Sequence, residues 1–396
     1  MSRIVTSTTA AIISLSSVVA LGAFVKTAAE NVIGNTTAAP KQQPAPVAAP
    51  SPDWLMFHQN PEHTGALLPD SQLPITGKLK WSFPAEGGID SSPAINKGVV
   101  YVGCDDYYLY CVDARLGKML WRAKLGAAIK SSPLVVGDQV IVGSEDSKLY
   151  SLDAKTGKEL WNFAAKDRIS SSPVPCHNNV LAGSWDKSLY AVNMKTGELS
   201  FKFDTEGRIT SAPAVAENNI YLSSHDGTLY CLNSENGSLI WKFKSGNKIY
   251  ATPMVMDGTV YFGSWDKTFY ALESQTGKVK WKFGGAESFS ISPAGANGRV
   301  FIGNDDLKMY CLDAKTGKML WRTPISSPNP LLSSSPAIGG KFLFLGSSDA
   351  NVYCLDTRNG AIKWKYKTQR PIISSPAVTQ KGICVGSQDG NLYWLE

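Results

Sequence analysis

The chain has 396 residues, of which 18% are charged, and its formal net charge is +6. Three basic residues against Glu30 place +2 of this charge in the first 52 residues, which leaves +4 for the remainder. A charge this small and this scattered gives no argument for a nucleic-acid partner.

Residues 1–29 are predicted to be a signal peptide or an N-terminal anchor. Arg3 precedes an apolar stretch, residues 10–25, and the small residues Thr27-Ala28-Ala29 follow it. The stretch contains three serines and is shorter than the roughly 20 residues of a membrane-spanning helix, so cleavage is favoured over retention. We therefore expect an exported protein of the periplasm or cell surface, tethered through residues 10–25 if the segment is retained.

Residues 30–52 are predicted to be a linker, because they are rich in Ala, Pro, Gln and Thr and cannot bury a core. Residues 53–73 form a lead-in segment before the main domain, residues 74–396. No cysteine precedes Cys104, so the chain offers no N-terminal cysteine for lipid attachment.

The main domain is a series of eight repeats, each beginning with a proline that follows a small or hydroxyl residue. The spacing is 40 residues, with a single interval of 43, and the prolines are Pro93, Pro133, Pro173, Pro213, Pro253, Pro293, Pro336 and Pro376. Such a period is typical of repeat architectures, in which one unit cannot bury its apolar faces alone.

Each repeat contains about four short β-rich runs separated by Gly, Asn and Asp turns, which predicts a four-stranded antiparallel sheet. Radial stacking of such sheets is a β-propeller. The last repeat ends at Glu396 before its fourth strand, and residues 76–83 carry the missing sequence. The predicted fold is therefore all-β, an eight-bladed β-propeller closed by an N-terminal outer strand.

Three repeated positions are interpreted as structural. An aromatic residue that ends each unit is predicted to pack between blades: Trp81, Trp121, Trp161, Phe201, Trp241, Trp281, Trp321 and Trp364. An invariant aspartate is expected to accept hydrogen bonds within its own turn: Asp106, Asp146, Asp186, Asp226, Asp266, Asp306, Asp349 and Asp389. Four of the seven cysteines share one strand position, which favours small buried side chains over disulfides: Cys111, Cys231, Cys311 and Cys354.

The phrase Asp-Ala-Lys-Thr-Gly-Lys-x-Leu-Trp at 153–161 and 313–321 resembles the tryptophan-docking motif of the PQQ-type repeat. The resemblance covers about 320 residues in eight copies. Within that family the chain is similar to the compact, non-enzymatic BamB-like branch, and residues 54–65 resemble a segment often found before such propellers. This resemblance implies an exported scaffold that binds envelope proteins and assists the assembly of outer-membrane proteins.

The alternative branch is the quinoprotein dehydrogenases, which hold pyrroloquinoline quinone (PQQ) and calcium and oxidise alcohols or sugars. That resemblance implies an adjacent cysteine pair, long insertions and acidic calcium ligands. The chain has no adjacent cysteines, and the ring has a single insertion of three residues. We therefore expect no catalytic residue, no cofactor and no metal, with PQQ and calcium required only under the alternative.

Positions that differ between repeats on one face are the candidate partner-binding site. Blades two to five combine basic residues with aromatic ones: Lys130, Arg168, Arg208 and Lys248 with Trp185, His225, Tyr250 and Trp265. Aromatic residues beside arginine are common at protein interfaces. It remains open whether the two tryptophans only cap their own turns while the basic residues are solvated.

The sequence gives little support for metal binding or for a specific catalytic mechanism. The four histidines show no metal-ligand spacing apart from a weak His58 and His63 pair placed outside the ring, and no nucleophile or phosphate-loop motif occurs. The function expected is a monomeric, non-catalytic envelope scaffold.

Overall fold

The computed structural model describes residues 53–67, 73, 76–325 and 333–396. The predicted signal or anchor, the tether at residues 10–25 and the linker lie outside the described residues. All regular elements within the described ranges are β-strands, and none of those ranges holds a helix long and apolar enough to cross a membrane.

Two strands precede the first blade, and they are β1 (Ala66–Leu67) and β2 (Leu79–Pro84). Blade 1 contains β3 (Ala94–Asn96), β4 (Val99–Gly103), β5 (Tyr108–Asp113) and β6 (Met119–Lys124). Blade 2 contains β7 (Leu134–Val136), β8 (Gln139–Gly143), β9 (Lys148–Asp153) and β10 (Glu159–Ala164). Blade 3 contains β11 (Val174–Cys176), β12 (Asn179–Gly183), β13 (Ser188–Asn193) and β14 (Leu199–Asp204). Blade 4 contains β15 (Ala214–Ala216), β16 (Asn219–Ser223), β17 (Thr228–Asn233) and β18 (Leu239–Lys244).

The second half of the ring follows the same order. Blade 5 contains β19 (Met254–Met256), β20 (Thr259–Gly263), β21 (Thr268–Glu273) and β22 (Val279–Gly284). Blade 6 contains β23 (Ala294–Ala296), β24 (Arg299–Asn304), β25 (Lys308–Asp313) and β26 (Met319–Pro324). Blade 7 contains β27 (Ala337–Gly339), β28 (Phe342–Gly346), β29 (Asn351–Asp356) and β30 (Ile362–Lys367). Blade 8 contains β31 (Ala377–Thr379), β32 (Gly382–Gly386) and β33 (Asn391–Leu395), and β2 is its outer strand.

This topology confirms the predicted eight-bladed propeller and its closing strand. Strand β2 pairs antiparallel with β33, and Trp81 lies opposite Trp394. Lys78 and Glu396 add reciprocal backbone hydrogen bonds of 3.0 and 2.9 Å just before the strand begins. The first and last parts of the ring are therefore joined in one sheet.

The burial pattern explains the β-rich runs in the sequence. In blade 1, four consecutive residues of β5 are buried, because both faces of a middle strand contact neighbouring blades. The outer strand β6 is exposed at four of its six residues. Apolar middle strands and mixed outer strands therefore recur with the repeat.

Among the described residues, six of the eight invariant aspartates join three parts of the ring, as Asp146 illustrates. Its Oδ1 accepts the N–H of Lys148 at 3.0 Å, which is the predicted turn bond. Its Oδ2 accepts the Tyr150 hydroxyl at 2.6 Å and the Gly126 N–H at 3.1 Å, and Gly126 lies on the connection from the preceding blade. The aspartate–tyrosine bond recurs in all eight blades at 2.5–2.9 Å.

The aromatic residues that end the units lie at the contacts between successive blades. Trp121 Nε1 donates to the carbonyl of Ala154 at 3.1 Å, and its ring covers Gly157, where a Cβ would lie 2.6 Å from the indole. The turn position of Gly157 favours glycine because φ is +71° and because the indole leaves no room for a Cβ. Equivalent bonds of 2.8–3.0 Å come from Trp81, Trp161, Trp241, Trp281 and Trp321. Phe201 and Trp364 cover Gly237 and Gly77 in the same manner.

The lead-in segment lies inside the ring along the innermost strands. The middle residue of the innermost strand donates its N–H to a lead-in carbonyl in blades 2, 4, 5, 6 and 7 at 2.7–2.9 Å, and Ile95 of blade 1 does so at 2.6 Å. In blade 3 this position is Pro175, which has no N–H to donate. Strand β1 continues this contact as a parallel partner of β27. The segment thus covers strand edges that would otherwise be unpaired.

All seven cysteines are buried and unpaired. Cys111, Cys231, Cys311 and Cys354 lie on the third strand of their blades, as expected for small core side chains.

Candidate functional site

The candidate residues meet because two sets of loops share one face of the ring. The middle turn of each blade contacts the connection that enters the same blade. Trp185 donates its backbone N–H to the Arg168 carbonyl at 3.0 Å, and His225 donates to Arg208 at 2.9 Å. Trp265 and Lys248 form the same pair at 3.0 Å. Three of the four predicted aromatic residues, Trp185, His225 and Trp265, are therefore direct neighbours of a predicted basic residue.

Two guanidinium groups converge on one indole ring. The Cζ of Arg208 lies 4.4 Å from the centroid of Trp185, and that of Arg168 lies 5.1 Å away. A cation at this distance from an indole is attracted to the ring quadrupole. The interaction orients both guanidinium groups and leaves their N–H edges available for an acceptor.

Three further rings are in contact across blades 4 and 5, where Tyr250 stacks on Trp265 and the imidazole of His225 is tilted by 45° to Tyr250. The Tyr250 ring lies 4.1 Å from His225 and 4.5 Å from Trp265, with an interplanar angle of 29° to the indole. Trp265 is 37% exposed, so one end of the stack faces solvent. Stacked aromatic rings of this kind present apolar area at low conformational cost.

Hydroxyl groups just before the innermost strands fix these rings. Trp185 Nε1 donates to Ser170 Oγ at 2.8 Å, and the Thr210 hydroxyl lies 2.7 Å from His225 Nε2. Trp265 Nε1 donates to Ser290 Oγ at 3.0 Å. Trp185 therefore bonds within its own blade, whereas Trp265 reaches the next one. The sequence prediction did not assign these hydroxyls to the site, although their positions vary between repeats.

Lys130 lines a cavity on the propeller axis together with Tyr250, but it differs from the three other cations because two carboxylates lie next to it. Its Nζ lies 3.2 Å from Asp90 and 3.8 Å from Asp105. The repeat period explains the difference, because Arg168, Arg208 and Lys248 are 40 residues apart whereas Lys130 occupies the position of Tyr250.

The remaining seven candidates are called the basic–aromatic face: Arg168, Trp185, Arg208, His225, Lys248, Tyr250 and Trp265. Within the described residues, Arg208 and Lys248 form no ion pair, and Arg168 has one carboxylate, Glu145, at 3.7 Å. The face therefore carries two cations, Arg208 and Lys248, that no carboxylate of the described residues pairs with.

Burial and neighbouring charges shift the pKa values of two side chains on this side of the ring, His225 and Asp305. Burial, followed by the positive charges of Lys248 and Arg208, lowers the pKa of His225 to about 4, so the imidazole is neutral at neutral pH. Burial raises the pKa of Asp305 to about 6 despite a 2.6 Å hydrogen bond from Ser290. The positive potential of the face thus comes from its arginines and lysine.

A ring of hydroxyl groups surrounds the propeller axis below this face. The backbone N–H of one blade donates to the side-chain oxygen of the next at 2.9–3.1 Å, and the acceptors are Ser92, Ser132, Ser172, Thr252, Ser292, Ser335 and Ser375. The eighth position is Ala212, so the Ser172 N–H lacks the acceptor that the other blades provide. The ring is interrupted between blades 3 and 4.

The hydroxyl ring lines an axial cavity of about 210 Å³ that Phe57 of the lead-in segment also borders. Among the residues that the structure describes, no three His, Cys, Asp or Glu side chains converge in a way that could hold a metal ion.

The two lead-in histidines lie inside the ring, which corrects their placement outside it. His63 is fully buried, and its ring nitrogens lie 3.1 and 2.9 Å from the carbonyl oxygens of Phe57 and Pro213. Burial lowers its pKa to about 4 and that of His58 to about 3. Both ring nitrogens of His63 therefore face backbone carbonyls inside the ring.

The repeat sequence matches a described family. A model of the family described as outer membrane protein assembly factor BamB matches residues 73–200, 185–331 and 326–396. Among curated proteins, no sequence matches the chain.

Solved structures of similar fold include BamB and quinoprotein dehydrogenases. BamB from Moraxella catarrhalis has a TM-score of 0.71 at 16% identity, over 81% of this chain and 99% of its own. Quinohemoprotein alcohol dehydrogenase from Comamonas testosteroni has a TM-score of 0.75 at 14% identity, over 88% of this chain and 81% of its own. A europium-containing methanol dehydrogenase has a TM-score of 0.75 at 14% identity, over 86% and 91%. At these identities the likeness concerns the fold alone.

Proposed function

This chain belongs to the family of the outer membrane protein assembly factor BamB, and from that premise we propose that it is an exported, non-catalytic scaffold of the cell envelope. Its partner is a protein bound at the basic–aromatic face. The signal-like residues 1–29 support export. Because one fold hosts unrelated functions, the site has to support the rest of the proposal.

The observation that carries the proposal is a set of oriented aromatic rings beside three cations, of which Arg208 and Lys248 have no carboxylate partner within the described residues. Trp, Tyr and Arg are the residues most enriched at the energetic centres of protein interfaces. Here Trp185 and Trp265 are fixed by hydrogen bonds to Ser170 and Ser290, so little side-chain freedom remains to be lost on binding. A preorganised surface of this composition suits a protein partner.

The axial cavity favours a non-catalytic role. Small-molecule and cofactor sites generally occupy about 300–1,000 Å³, whereas the cavity here is about 210 Å³ and Phe57 borders it. Its wall is mainly serine and threonine, and carboxylates such as Asp90 are already engaged by Lys130. These residues do not fit a quinone with a calcium ion.

The proposal is tested by a double variant, Arg208→Glu with Trp265→Ala, in affinity purification from membranes of the native host. We expect a co-purifying envelope protein to be lost while the melting temperature stays nearly unchanged, because both side chains are exposed. The matched control is Leu239→Ala with Lys242→Glu on the exposed outer strand β18, which should keep the partner. Retention by the face variant, or equal loss in both variants, would contradict the proposal.

A separate measurement tests the dehydrogenase alternative. Titration with PQQ and calcium should give no spectral change and no dye reduction with alcohols or aldose sugars. Saturable, calcium-dependent dye reduction would replace the scaffold proposal with the enzymatic one.

A further inference from the structure

The joint between blades 8 and 1 contains a cavity that the scaffold proposal does not use. This seam cavity has a volume of about 480 Å³ and lies on the opposite face of the ring from the basic–aromatic face. Its apolar wall includes Ile95, Ala114 and Trp394, and its polar residues include Lys80, Arg115 and Lys381. A mostly apolar wall with a few polar groups is the usual composition of a small-molecule site.

An exchange of side-chain size shapes the wall. In blade 1, Tyr101 lies opposite Cys111, and its hydroxyl donates to the carbonyl of Ala154 in the next blade at 3.0 Å. In blade 8, the small residue Cys384 lies opposite the large Trp394. In blade 1 the large ring is on the second strand, β4, whereas in blade 8 it is on the third strand, β33. The hydrogen bond that the Tyr101 hydroxyl makes to the next blade therefore has no counterpart at the seam.

The exchange leaves a buried donor without an acceptor. Trp394 is 3% exposed, and its Nε1 has no hydrogen-bond partner among the described residues. The carbonyl of Ala114, which is equivalent to that of Ala154, accepts Trp81 Nε1 at 2.9 Å. A buried indole N–H normally has an acceptor, so this donor is a polar group that the described residues of the seam leave unsatisfied.

The charged residues at the mouth of the seam cavity indicate whether a ligand there would be an anion or a cation. Arg115 and Lys381 are exposed and form no ion pair within the described part of the chain, and Lys80 is held by Glu396 at 2.5 Å. The single acidic residue of the lining is Asp53, which accepts the N–H of Lys97. The mouth therefore has an excess of positive charge.

The next joint provides an internal comparison. The groove between blades 1 and 2 has nearly the same volume, about 490 Å³, but there Lys97 and Lys155 are balanced by Asp138 and Asp153. The two sites occupy equivalent places in the repeat and differ in net charge and in the unpaired indole.

We propose that the seam cavity binds a small amphiphilic carboxylate, whose apolar body packs beside the indole of Trp394 and whose carboxylate pairs with Arg115 and Lys381. Charge complementarity selects the carboxylate, and the apolar wall selects the body. The proposal rests on the seam alone and is independent of the scaffold function.

The first test uses decanoate as the probe and decanol as its neutral match, both below the concentration at which they aggregate. Calorimetry of the unmodified chain should show one saturable site for decanoate and at least tenfold weaker binding of decanol. Absence of saturable decanoate binding, or equal affinity for both probes, would overturn the proposal.

The second test locates the site. The Trp394 indole N–H signal, assigned in the NMR spectrum with Trp394→Phe, should shift on addition of decanoate. Arg115→Glu with Lys381→Glu should weaken binding at least tenfold, whereas the control pair Lys97→Glu with Lys155→Glu, in the groove between blades 1 and 2, should leave it unchanged. An unmoved Trp394 signal, or equal loss in both pairs, would show that decanoate binds elsewhere and would refute the assignment. Since all four side chains are exposed, each pair should retain the melting temperature.

Discussion

Blades 3–5 and blades 1, 2 and 6 have the same backbone but use their variable loop positions differently. In blades 1 and 2 the cation at these positions is paired within the ring, because Lys130 lies near both Asp90 and Asp105. In blade 6 the carboxyl of Asp305 accepts a hydrogen bond from Ser290. In blades 3–5 the same positions carry aromatic rings and cations, and Arg208 and Lys248 have no carboxylate partner in the described residues.

This difference separates the residues that hold the ring together from the residues that are available to bind a partner. The aspartate–tyrosine bonds occur in every blade, so they cannot distinguish one half of the ring from the other. Charges that are satisfied internally have little to offer a partner, whereas oriented but unpaired cations do. We therefore expect the functional residues of this protein at positions that differ between repeats and whose charges are not paired with other described residues.

The largest expected effect is on stability and should be the same in both regions. Asp146→Ala in blade 2 and Asp226→Ala in blade 4 each remove a carboxylate that accepts bonds from a turn, a tyrosine and the preceding connection. We expect each to lower the free energy of unfolding by about 3 kcal/mol, measured by denaturant titration. A clearly unequal loss would show that the framework itself differs between the two regions.

The pH dependence should have opposite signs in the two regions. The folded-state pKa of His225, about 4, lies below its unfolded value of 6.5, so its contribution to stability is lost as pH falls from 6.5 towards 4. The pKa of Asp305, about 6, lies above its unfolded value of 3.8, so its carboxyl favours the folded state increasingly as pH falls from 6 towards 3.8.

Substitutions isolate these two groups from the buried histidines of the lead-in segment. His225→Asn should reduce the loss of stability between pH 6.5 and 4, and Asp305→Asn should be stabilising at pH 7 with an advantage that disappears near pH 4. Melting temperatures across this range check both expectations. Identical pH slopes for the variants and the unmodified chain would refute them.

A smaller effect concerns the interruption of the hydroxyl ring at the boundary of blades 3 and 4. Ala212→Ser should give the Ser172 N–H its missing acceptor and raise the free energy of unfolding by about 1 kcal/mol. Ser132→Ala, which removes the acceptor of Ser92, should lower it by a similar amount. A destabilising Ala212→Ser would mean that the axial position does not admit a hydroxyl.

The smallest effect separates a satisfied cation from an unsatisfied one. Lys130→Met should lower the free energy of unfolding by about 0.5 kcal/mol, because a partly exposed ion pair contributes little. Arg208→Met should change it by less, because no ion pair is lost. A larger loss for Arg208→Met would show that the guanidinium stabilises the ring through Trp185.

The sequence predicted the ring because its signals are local and repeated eightfold. The prolines fixed the period, and the incomplete last repeat located the closing strand, which begins at Leu79 rather than at residue 76. The turn role of the aspartates was also predicted. Their bonds to tyrosines and to the preceding connection were not, since these depend on how the blades stack.

The candidate site was predicted less completely. The sequence placed the basic and aromatic residues on one face, but it grouped Lys130 with them although the 40-residue spacing puts that lysine in the position of Tyr250. Contacts such as Lys130 with Asp90 join residues of different blades and leave no local signal. The position of the lead-in segment was missed for the same reason, because its hydrogen bonds join it to strands throughout the ring.

The central claim is that blades 3–5, rather than blades 1 and 2, contact a partner protein. The most direct measurement places a benzophenone amino acid at Lys248 or at its repeat equivalent Ala128 and irradiates cells of the native host. The backbone carbonyls of these two residues accept equivalent bonds, from Trp265 and Glu145, so the probes differ mainly in the region they report. The account predicts a protein adduct from position 248 and none from position 128; equal adducts, or an adduct from position 128 alone, would contradict it.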